Sequence, residues 1–129
     1  MVGILVVLLA LTGCSQAIGT ADWDRIEVSY TAGGGGDYTL VVTPAEFTYT
    51  VDGKKTADKL PDGVWATLTT GVRALGGREA VKCADGQEIQ IRALSGTTVK
   101  QAYAANSCDA GDALEQARAL VEKVIALIQ

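Results

Sequence analysis

The sequence predicts an α+β domain, built as one antiparallel, meandering sheet of about six to seven strands with two helices packed on one face. Three observations carry this reading. Segments of period-two alternation, rich in β-branched and aromatic residues, recur between short connections bearing glycine, proline and aspartate. Two stretches instead repeat apolar residues at helical spacing, Trp65-Leu68-Val72-Leu75 and Leu114 through Ile128. Consecutive strands are joined by segments short enough for antiparallel pairing.

In chain order, Arg25–Tyr30 alternates with Ile26, Val28 and Tyr30 on one face, and Trp23 just before it adds an apolar anchor. The glycine run Gly33-Gly34-Gly35-Gly36 leads to a second strand over Tyr38–Thr43, making a hairpin. Pro44 interrupts, Glu46–Val51 alternates through Phe47, Tyr49 and Val51, and Asp52-Gly53 turns the chain into a short strand over Lys55–Lys59. Leu60-Pro61-Asp62 reads as a helix start with Asp62 as cap, and Gly76-Gly77 ends that helix. Glu79–Cys83, Glu88–Leu94 and Thr98–Ala104 read as three further strands, separated by Asp85-Gly86 and Ser95-Gly96 turns. The closing helix starts at Gly111 or Asp112 and lays Leu114, Ala117, Leu120, Val121, Val124, Ile125 and Ile128 on one face, with Asp109 and Asp112 at its positive end.

A chain of 129 residues is long enough for one well-cored domain and too short for two. Its formal net charge is -4, and no basic cluster exceeds Lys54-Lys55, so nucleic acid and anionic lipid lack the concentrated positive patch they require. The chain contains no histidine, which removes Ser-His-Asp and Cys-His catalysis, histidine-based zinc sites and imidazole switching together. No catalytic residue, metal ligand or cofactor is assigned, and the protein is read as no enzyme. Asp22 with Asp24, and Asp109 with Asp112, lack the spacing of a calcium loop and read as surface charge and helix-end acids. Trp65, Leu68 and Val72 read as core.

The first fifteen residues carry no charged side chain, and Ile4–Leu11 is an unbroken apolar run. It falls short of the ~20 residues of a membrane-spanning helix and lacks the alternation of a strand, but matches the apolar region of a secretory signal. Leu11-Thr12-Gly13-Cys14 resembles the lipobox of bacterial lipoprotein precursors. That resemblance implies diacylglyceryl transfer to the Cys14 thiol, cleavage just before it and acylation of the new amino terminus. Residues 1–13 are then signal peptide, 14–21 lipidated cysteine and tether, and 22–129 the domain. Two or more acyl chains hold a protein on a bilayer stably where one is marginal. The implied location is the cell envelope, on the outer side of the cytoplasmic membrane or in the outer membrane.

With Cys14 assigned to lipid, Cys83 and Cys108 remain as a pair, consistent with an exported protein. A bridge between them would close a loop of about 26 residues and stabilise the fold by roughly 3 kcal/mol on the loop-entropy model. The alternative, two thiols in metal or redox chemistry, lacks close C-x-x-C spacing. Gly33, Gly34, Gly35 and Gly36 precede a strand, with no Gly-Lys-Ser/Thr after them, so they read as a hairpin tip and a candidate partner-contact loop.

The order of first strand, Gly33-Gly34 loop, second strand, Leu60-Pro61 helix start, Asp85-Gly86 hairpin and terminal amphipathic helix is similar to that of emfourin, a family of small inhibitors of thermolysin-like metalloproteases. The likeness runs over Arg25 to Gln129 as element order, and no inhibitory residue carries over, because the loop here is glycine throughout where emfourin places an aromatic residue. The expected function is therefore a membrane-anchored envelope lipoprotein, acting as a non-catalytic protein-binding or structural module toward an envelope protein. The alternative is a proteinaceous inhibitor of a secreted metalloprotease.

Overall fold

The computed structural model describes residues 23–129, so the expected signal peptide and tether, Cys14 included, lie outside the described residues. The elements are β1 (Arg25–Thr31), β2 (Tyr38–Val42), β3 (Glu46–Val51), β4 (Lys54–Lys59), α1 (Val64–Leu75), β5 (Glu88–Ser95), β6 (Thr98–Asn106) and α2 (Ala113–Ile128). Six strands form one antiparallel sheet in the order β4-β3-β2-β1-β5-β6.

Pairing follows the meander from β1 to β4 and again from β5 to β6, but the chain crosses over between β4 and β5 instead of adding β5 beside β4. Burial explains the break. Every residue of β4 is exposed, so a strand beyond it would have no core face to cover. β1 buries Ile26, Val28 and Tyr30, and β5 matches them with Ile89, Ile91 and Ala93 in register, Val28 opposite Ile91 and Tyr30 opposite Ile89. Cross-strand apolar pairs of this kind are the unit of sheet stabilisation. The outer edge strand carries Lys54, Lys55, Asp58 and Lys59, charges that discourage edge-to-edge association.

α1 takes the chain from the end of β4 across the sheet to β6. Its Arg73 guanidinium lies 4.3 Å from the centroid of the buried Trp23 ring. At its C-terminal end, Gln101 Nε2 of β6 donates to the Val72 and Gly76 carbonyls at 2.7 and 2.9 Å. α2 returns across the sheet: the Tyr103 hydroxyl donates to Ala113 O at 2.7 Å, and Arg118 lies 5.1 Å from the Tyr30 ring. The helices touch where Gly71 faces Leu120.

Two local expectations change. The α1 cap is Gly63, in the left-handed conformation with φ 82°, not Asp62, and no side chain caps the helix. The first helical bond runs from Thr67 N to Gly63 O, and Val64 N donates to Pro61 O at 3.3 Å. The buried stripe is Val64-Leu68-Val72, at four-residue spacing; Trp65 is half-buried at the margin of the core and not inside it.

Strand register also decides which connections share an end of the sheet. Arg25 pairs with Leu94, Ile26 with Val42 and Glu46 with Lys59, which places the chain's entry into β1, the 43–45 connection, the end of β4 and the Gly96 turn together. Asp24 secures this end by accepting from Gly96 N at 2.9 Å. The glycine loop, the Asp52-Gly53 turn, residues 84–87 and the 107–112 connection lie at the other end, beside Tyr30-Tyr38, Tyr38-Val51 and Glu88-Asn106.

Candidate binding groove

Glu79–Cys83 alternates like a strand but forms none: Arg78 alone bridges to β6, beside Tyr103. Side chains have taken the backbone groups that a neighbouring strand would use. Val81 N donates to Asp109 Oδ1 at 3.3 Å, and Asn106 Nδ2 donates to Val81 O at 2.6 Å. Cys83 is joined to Cys108 in a disulfide, as the cysteine count predicts. The segment from Arg78 to Ala84 is thereby drawn against the connection between β6 and α2 and becomes a strap.

Between this strap and the sheet face turned away from the helices runs an open groove of about 790 Å³. Alternation along β5 and β6 turns Ile89, Ile91 and Tyr103 into the core and leaves Glu88, Gln90, Arg92, Ala102 and Ala104 on the groove side. The alanines are what leave the volume empty, and Val81, 48% exposed, lines its wall. Polar side chains of the floor are already hydrogen-bonded: Arg92 donates to Glu27 at 2.6 Å and Gln90 to Glu88 at 3.0 Å.

The strap is pinned through Asp109, whose side chain is 3% exposed. Its two oxygens take both Arg78 Nη atoms at 3.2 Å, and it also accepts from Asn106 N at 2.8 Å. The Arg78 guanidinium, followed by the backbone N–H of Asn106, holds this carboxyl down to about 2 against the opposing effect of burial. Asp109 in turn raises Arg78, whose Nη1 also donates to Ala104 O at 2.7 Å. Burial raises Tyr103, Tyr49 and, most strongly, Tyr38. Each of these shifts runs away from neutrality, so the groups serve as fixed donors and acceptors and the arrangement around Asp109 is a clamp.

Asp109 is thus not the helix-end acid that its position suggests. Asp112 stands at the α2 cap position, but its carboxylate accepts from the Gln116 side chain at 3.1 Å and not from the helix backbone. Sequence reasoning overlooked Arg78 and Asn106 altogether. The one signal was a polar residue ending an apolar alternating strand, Asn106, which is 2% exposed.

The glycine loop Gly33–Gly36 is exposed, and its base is closed by two carboxylates. Asp37 Oδ1 accepts from Ala32 N at 2.7 Å, and Asp52 Oδ1 accepts from Gly36 N at 3.0 Å. Gly35, at φ 104°, holds a backbone shape that other residues avoid. A Cβ on Gly33 would lie 3.6 Å from Gly86 O, so the loop and the disulfide-bearing end of the strap are neighbours, while Cys14 lies outside the described residues. Among the described residues no group of three or more potential ligands is placed to hold a metal. No protein-family model matches this chain, and no curated protein matches it.

Proposed function

We propose that the protein is a lipid-anchored bacterial envelope lipoprotein, held on the membrane through Cys14, whose folded domain binds another protein without catalysis. The observation that carries this reading is the Cys83–Cys108 disulfide. A disulfide belongs to an exported, oxidising setting, and it uses two of the three cysteines, leaving Cys14 of Leu11-Thr12-Gly13-Cys14 as the thiol open to acylation. Among the described residues, no helix is long and apolar enough to cross a membrane. The groove beside the strap is the surface offered to the partner: it combines small apolar side chains with polar ones such as Arg92, which is paired with Glu27, a composition suited to contact.

Metabolic labelling with palmitate in a bacterial host tests the anchor. The wild-type chain takes up label and fractionates with membranes, and Cys14→Ser loses both properties. Equal label in the two chains, or label in neither, removes the proposal.

A further inference from the structure

We infer that the end of the sheet where the chain enters β1 lies on the phospholipid headgroup layer, and that the opposite end, carrying the glycine loop and the disulfide, faces away from the membrane. The inference rests on the lipid at Cys14 and follows from tether length, topology and charge.

Residues 15–22 separate Cys14 from Trp23, nine residue steps whose upper limit of reach is about 30 Å. Trp23 immediately precedes the first pair of β1, Arg25 with Leu94, so the tether attaches at the end that carries the 43–45 and Gly96 connections. β1 has seven residues, and at ~3.3 Å per residue the opposite end lies about 23 Å further along the strand. Turning that end to the bilayer would use most of that limit. With the near end at the surface the same length of chain is ample.

Charge acts in the same direction. The far connections, residues 32–37, 52–53, 84–87 and 107–112, carry Asp37, Asp52, Asp85 and Asp112, while Asp109 is matched by Arg78 and Lys82 stands on the adjoining strap. Envelope membranes carry anionic lipid, which repels that end within a Debye length of about 8 Å. The near end carries fewer acids, Asp24 before β1 and Asp62 among residues 60–63; Thr43-Pro44-Ala45 and Gly96-Thr97 are uncharged, and Val99, 43% exposed, stands beside the Gly96 turn with Lys100 after it. An apolar side chain flanked by hydroxyls and a lysine suits the boundary between headgroups and water.

The test uses the chain from Cys14 onward, which keeps every element of the fold. With the Cys83–Cys108 bridge oxidised, a lipid-maleimide is coupled to the Cys14 thiol and the protein is bound to nanodiscs of phosphatidylcholine and phosphatidylglycerol doped with a headgroup spin label. Amide signals of Ala45, Gly96, Thr97 and Val99 are expected to broaden severalfold more than those of Gly34, Gly35, Gly36 and Gly53. Equal broadening at the two ends, or the reverse pattern, overturns the orientation. Because the lipid is attached chemically, this result is independent of whether cells acylate Cys14, which the palmitate experiment decides.

Discussion

Gly71 of α1 packs directly against Leu120 of α2, and replacing it with alanine sets two effects of similar size against each other. In an exposed helix interior, Gly→Ala stabilises by about 1 kcal/mol through backbone entropy. Here the new Cβ would lie 2.3, 2.8 and 3.1 Å from Leu120 Cδ1, Cδ2 and Cγ, far inside the ~3.5–4.0 Å optimum for carbon contacts. The close approach of Cγ means that rotating the two methyl groups does not relieve the overlap fully. Leu120 must change rotamer or the helices must part, an overpacking cost of about 1–3 kcal/mol. The net expectation for Gly71→Ala is destabilisation by about 1 kcal/mol, near 4 °C in Tm for a domain of this size. In a Leu120→Ala background the obstruction is gone, and the same substitution should stabilise by about 1 kcal/mol, giving a coupling of about 2 kcal/mol across the cycle. Urea titration followed by the fluorescence of Trp23 and Trp65 measures all four proteins. Stabilisation by Gly71→Ala in both backgrounds, with no coupling, would refute helix packing through this position.

Further substitutions examine the strap and the core. Removing the bridge with Cys83→Ala/Cys108→Ala is expected to cost about 3 kcal/mol and to make the Arg78 and Lys82 bonds trypsin-sensitive in the native state; unchanged resistance would show that the Asp109 clamp holds the strap unaided. Because the Asp109 carboxyl is held at about 2 against an ordinary 3.8, the unfolded chain binds its proton first. Its contribution is complete above the ordinary value and disappears as pH falls through about 2, so acid titration of stability should be shallower for Asp109→Asn in that window. The Tyr38 hydroxyl is buried without a hydrogen-bond partner on a residue 9% exposed, so Tyr38→Phe should be neutral or stabilise by up to about 1 kcal/mol in thermal unfolding, and a loss of 2 kcal/mol or more would reveal a bound partner.

Much of the architecture was legible along the chain because it depends on periods of two to four residues. Ile26-Val28-Tyr30, Ile89-Ile91 and the α2 stripe each bury one face of a regular element, and the Asp52-Gly53 and Gly96 turns follow from backbone preferences at single positions. Two of the departures, at Glu79–Cys83 and at Asp109, have the same origin. Glu79–Cys83 has a strand's alternation, but whether an alternating segment joins a ladder depends on what meets its N–H and C=O groups, and those of Val81 are met by Asn106 and Asp109. Asp109 has a helix-end position, but a carboxylate goes to the strongest donor in reach, and Arg78 stands 31 residues away in sequence.

The sequence by itself determined the α+β class, the identity of most strands and both helices, the cysteine pairing and the lipobox-like start, because each is written in local spacing or in counting. The tertiary structure alone decided the crossover that sets β5 against β1, the clamp on the strap, the groove it walls and the sharing of one end by the glycine loop and the disulfide. Those features depend on through-space competition for edges, donors and apolar surface, a competition between residues that local spacing does not bring together.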